Sequence, residues 1–70
     1  MIAVFRTSLQ TQQDVSKLAQ WLTSVHELTR WNVDLEDCDK VLRLEGNGVD
    51  TNQVQNLVRR AGFTCEELPD

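Results

Sequence analysis

The stretch Trp31–Gly46, WNVDLEDCDKVLRLEG, decides the fold. Trp31, Val33 and Leu35 alternate with Asn32, Asp34 and Glu36, and Leu42 and Leu44 alternate with Val41, Arg43 and Glu45, so each half has the two-residue period of a strand. Asp37–Lys40, DCDK, supplies polar turn residues between them, and GNG at 46–48 stops the second strand. The pair is expected to form an antiparallel hairpin with one apolar face.

On the N-terminal side, Ala3, Phe5, Thr7 and Leu9 alternate with Val4, Arg6 and Ser8, which suits a half-buried strand over residues 2–9. The period then changes. Val15, Leu18, Ala19, Leu22 and Val25 follow helical spacing, predicting a helix over residues 11–27 that ends near His26 or Glu27, with His26 favourably placed against the negative end of the helix dipole. On the C-terminal side, Asp50 and Gln53 have capping-box spacing, and Val54, Leu57, Val58 and Ala61 form the buried stripe of a second helix over 51–61. Gly62 can close that helix in a left-handed conformation, and Phe63 to Glu67 read as a last strand.

The order βαββαβ predicts an α+β, ferredoxin-like sandwich: a four-stranded antiparallel sheet with both helices on one face. The strand order expected of that arrangement, 4-1-3-2, brings the loop after strand one, the hairpin turn and the loop before strand four to one end, here termed the top.

Size and charge narrow the function. At 70 residues the chain is expected to be a single domain, 1–70, with no room for a deep enzyme pocket. The net charge is −4 and the basic residues are scattered apart from Arg59 and Arg60, so there is no positive stripe for nucleic acid. The apolar start is broken by Arg6, too short for a signal sequence or a membrane span, and a cytoplasmic monomer without membrane association is expected. No Ser/His/Asp set, nucleophilic Cys/His pair or phosphate loop is present, so no catalytic residue and no cofactor are expected.

Three stretches carry a resemblance. VSKL (15–18) opens the first helix, WNVDLEDCDKVLRLEG forms the hairpin, and RRAGF (59–63) ends the second helix. In these the chain resembles the heavy-metal-associated domain family of small copper chaperones and metal-ATPase modules, over almost its whole length. The resemblance implies a Met-x-Cys-x-x-Cys loop, in which two thiolates grip one soft ion, Cu(I) above all, at a helix N-terminus. Aligned on VSKL, Leu9 stands at the Met position, Thr11 at the first Cys and Asp14 at the second. A hydroxyl and a carboxylate are hard ligands, so no metal site is expected there. Their spacing does suit a capping box, with Thr11 at the N-cap and Asp14 at N3.

The remaining candidates are weaker. Cys38 is expected to be an exposed turn thiol and Cys65 a small core residue. Reckoned from strand order they lie three strand spacings apart, roughly 14 Å, too far for a disulfide or a shared ion. Cys38 is the weak alternative ligand, through sharing a metal between two molecules. Glu36, Asp37 and Asp39 lack the spacing of a calcium loop. Trp31 is expected in the core, and Trp21 partly buried or in contact with a partner. The expected role is a metal-free, non-catalytic relative of copper chaperones that docks to a protein. Copper or zinc carriage through Cys38 is the alternative, and an acylphosphatase-like enzyme is more distant, because LQTQQD (9–14) has no cation.

Overall fold

Alternation in the first strand puts Ala3, Phe5 and Thr7 on one side, and all three are buried while Ile2 and Arg6 are exposed. A computed structural model describes residues 1–69. Its elements are β1 (Ile2–Thr7), α1 (Gln12–Leu22), β2 (Leu28–Asp34), β3 (Val41–Gly46), α2 (Thr51–Arg60) and β4 (Cys65–Glu67). The sheet order is β2-β3-β1-β4 with every pair antiparallel, which is the expected ferredoxin-like arrangement. Leu18 and Leu22 of α1 and Val54 and Val58 of α2 pack into the same core as Phe5, Leu42 and Leu44, so both helices cover one face of the sheet. Among the described residues no helix is long and apolar enough to cross a membrane.

Several boundaries differ from expectation. The first helix stops at Leu22, not near His26. Thr23 and Ser24 donate their hydroxyls to the carbonyls of Gln20 and Trp21, and the Ser24 and Val25 N–H groups bond three residues back, which tightens the chain out of the α-helix. Val25 is still buried, and His26 is exposed in the following turn rather than in the last turn of the helix. The early stop lets β2 begin at Leu28, with a bulge between Leu28 and Arg30. Strand one ends at Thr7 rather than Leu9, because the Leu9 N–H turns back to the Thr7 hydroxyl.

The second helix ends in a complete Schellman closure: Gly62 N–H donates to Arg59 O and Phe63 N–H to Val58 O, with Gly62 at φ 101°. That second bond occupies the Phe63 amide, and the last strand begins at Cys65 instead of Phe63. At the helix start Asp50 accepts from the Asn52 and Gln53 amides, but Gln53 returns no bond, so the expected capping box is half formed. Leu57 is only partly buried. Gly46 is needed for close approach: a Cβ there would overlap the Glu27 carbonyl and lie 2.6 Å from a Val49 methyl.

Leu22 is 2% exposed at the helix–sheet interface. Leu22→Ala is expected to destabilise the domain by about 2–5 kcal/mol in urea unfolding. A loss below about 0.5 kcal/mol, the range of ordinary surface substitutions, contradicts this packing.

Candidate functional site

The top of the domain is organised by Thr7, the one buried polar side chain among the described residues. Its amide donates to Asp39 O at 3.1 Å and its hydroxyl to Lys40 O at 2.6 Å, while the hydroxyl accepts from the Leu9 N–H at 3.3 Å. One residue therefore joins β1 to the hairpin turn and bends the chain into the loop before α1. Alongside it, Ser8 N–H donates to Thr64 O and Thr64 N–H to the Ser8 hydroxyl, tying the same loop to the segment before β4. The three segments expected at the top do meet there. Thr7 itself carried only a burial signal in the sequence, and its role as the joint was not legible.

Within this frame Leu9 is fully buried, and the chain emerges at Gln10 and Thr11. The Thr11 hydroxyl accepts from the Asp14 N–H at 3.2 Å, and the Asp14 carboxylate accepts from the N–H groups of Gln10 at 3.0 Å and Thr11 at 3.3 Å. The expected capping box is complete, and Asp14 adds a third bond to it. A carboxylate in the first turn is also favoured by the helix dipole. As a donor set for a soft ion the pair fits poorly: the loop offers one hydroxyl and one carboxylate, no thiolate, and both side chains already serve the helix end.

The hairpin turn holds a second group. Ligand atoms of Asp37, Cys38 and Asp39 lie within 4.8 Å of one another. This joins Cys38 to two of the three acidic residues and leaves Glu36 out. Asp37 accepts from the Asp39 N–H at 2.8 Å, Asp39 pairs with Arg6 at 3.2 Å, and Lys40, at φ 49°, donates its ammonium to Leu35 O at 2.7 Å. The carboxylates thus have local partners, and the set mixes one soft ligand with two hard ones. The Asp39 and Lys40 carbonyls accept from Thr7 in line with the β1–β3 register, so the end of the turn continues that ladder past Phe5 and Leu42. β2 and β4 are the two edges of the sheet, three strand spacings apart, and both cysteines are free.

Cys65 is buried in the core as expected, and Cys38 is exposed. Burial pushes the Cys65 thiol from its ordinary 9.0 up to about 11, opposed by the charge of Arg59 and assisted by that of Glu67. Trp31 is half-buried rather than fully in the core, because β2 is an edge strand, and Trp21 is partly buried against the core.

No family model matches the chain, and no curated protein matches it. Solved structures do. The yeast copper transporter domain Ccc2a, studied in apo and Cu(I)-loaded states, is 15% identical with a TM-score of 0.82, over 99% of this chain and 96% of that one. The N-terminal domain of PacS from Synechocystis PCC6803 is 14% identical, with a TM-score of 0.78 over 99% and 98%. The Cu(I)-loaded first domain of the human copper chaperone for SOD1 is 20% identical, with a TM-score of 0.77 over 94% and 89%. At these identities the likeness establishes a shared fold.

Thr7→Val should destabilise the domain by about 1–3 kcal/mol, since the Lys40 carbonyl loses its hydroxyl donor and the Leu9 amide loses its acceptor. Urea melts compared with Ser8→Ala, which removes one exposed bond, check this. A second expectation concerns pH. The folded state retains the Cys65 proton where the unfolded chain releases it, so this contribution is intact below about pH 9 and is lost as pH rises toward 11. The difference corresponds to roughly 2–3 kcal/mol, and Cys65→Ala should flatten the alkaline limb of the stability profile.

Proposed function

We propose that this chain is a non-catalytic domain of the heavy-metal-associated type whose α1 loop carries no soft metal, and that it acts through protein–protein contact. The capping box carries the reading: the two positions that resemble the family's cysteines, Thr11 and Asp14, bond to each other's backbone amides across the first helical turn. A cap of this kind is worth about 1 kcal/mol to a small domain, whereas the same atoms offer little to Cu(I). Two free cysteines suit a reducing compartment, consistent with a cytoplasmic location. Copper or zinc held through Cys38 is the second reading, favoured by the grouping of Cys38 with Asp37 and Asp39. One thiolate cannot match a two-thiolate chelate, so that reading requires ligands from a second molecule.

Competition with a chromogenic chelator tests both. The reduced domain should take up no stoichiometric Cu(I), and uptake by it overturns the proposal; if Cys38→Ser then abolishes uptake, the second reading replaces it. Thr11→Cys combined with Asp14→Cys should create 1:1 binding, because a helix N-terminus favours the thiolate. That double variant should lose about 1–2 kcal/mol of apo stability with its cap and regain it with metal. Gln12→Cys with Val15→Cys, which moves the pair off the N-cap and N3 positions of the helix, should not bind.

A further inference from the structure

In place of the monomer expected from the sequence, we propose that the free edge of β2 is the docking surface of this domain and that its occupant is a second copy of the chain, paired antiparallel across a two-fold axis at Asn32. The proposal deepens the interaction reading by naming surface and partner, and it is independent of whether any metal binds.

Three observations carry it. The first is that, among the described residues, β2 ends the sheet with no strand on its outer side, and the usual protections are sparse: Leu28–Asp34 contains no proline or lysine and no inward-pointing charge, and its only bulge lies at the start, between Leu28 and Arg30. From Arg30 to Asp34 the ladder to β3 is regular.

The second is incomplete burial. Trp31 lies opposite Leu44 and Val33 opposite Leu42, on the helix-covered face. Leu42 and Leu44 are fully buried, whereas Trp31 and Val33, one strand further out, are only half-buried. The apolar face of β2 thus faces the core on one side and solvent on the other.

The third is charge. On the opposite face of β2 stand Arg30, Asn32 and Asp34, all exposed. Antiparallel self-pairing about Asn32 sets Arg30 against the second copy's Asp34, and Asp34 against its Arg30. The same register sets Trp31 against Val33 twice. Both faces are therefore self-complementary, as a two-fold interface requires. Arg30 is available for this pairing, because Glu45 across the strand is taken by Arg43 at 3.3 Å. Asp34 accepts from the Glu36 and Asp37 amides through one oxygen, Oδ1, leaving the other for an arginine. The other sheet edge, β4, is three residues long and offers no comparable ladder, so pairing through β2 closes as a dimer.

Sedimentation equilibrium of the reduced domain, with EDTA present, tests the proposal. The wild type should show a concentration-dependent monomer–dimer equilibrium, weaker at high salt. Arg30→Glu, which sets two pairs of like charges across the axis, should weaken the dimer by about tenfold or more. Arg60→Glu makes the same charge change on an exposed face of α2 and should leave the dimer constant within about twofold. Asp34→Asn keeps the turn acceptor and should weaken the wild-type dimer while strengthening that of Arg30→Glu, because it removes an attraction in one background and a repulsion in the other. A wild type that stays monomeric to about 1 mM overturns the proposal, as does an Arg30→Glu dimer equal to that of Arg60→Glu, or an Asp34→Asn effect of the same sign in both backgrounds.

Discussion

The position of β1 between β3 and β4 is the constraint on which the rest of the structure depends. Phe5 is paired on one side with Leu42 and on the other with Glu67, and it is fully buried beneath the helices. A strand bonded on both edges and covered on one face cannot shift by one residue without turning Phe5 out and Arg6 in. That register places Thr7 at the top of the sheet, where its backbone and hydroxyl bond to the hairpin turn and its hydroxyl receives the Leu9 amide. The loop before α1 inherits its position from this joint.

What the loop does chemically follows from how its polar groups are used. An α-helix leaves its first amides without partners, and here the Thr11 and Asp14 side chains answer three N–H groups around that end. The Asp14 carboxylate, in the first turn, also lies at the positive end of the helix dipole, which favours its negative charge. Both side chains are thus committed to closing the helix end.

Charge is distributed with the same economy. Acidic side chains at the top accept from backbone amides or pair with Arg6, and the buried Cys65 retains its proton by desolvation. Arg59 reaches the Cys65 carbonyl at 3.5 Å, and Lys17 lies 5.7 Å from the centre of the Phe63 ring, so the cations near α2 and β4 cover the end of the core rather than form a basic surface.

The sequence by itself determined the order and type of the elements, because each is encoded by short-range periodicity: the alternation of Trp31–Leu35 and Val41–Glu45, the helical stripe of Leu18 and Leu22, the Thr11–Asp14 spacing and the glycine at position 62. It also sorted Cys65 into the core and Cys38 onto the surface. Only the tertiary structure decided the rest. Val25 is buried without being helical, since burial pattern does not distinguish a last helical turn from a loop folded onto the same core. Trp31 is half-buried because exposure on a strand depends on whether a neighbour lies beyond it, which the strand's own residues do not state. The grouping of Cys38 with Asp37 and Asp39 depends on the conformation of the hairpin turn, and the joint made by Thr7 across 33 residues of chain to Lys40 depends on the pairing of β1 with β3. Local pattern encodes which face of an element is apolar, whereas the partners of its polar groups are chosen by segments far away in sequence.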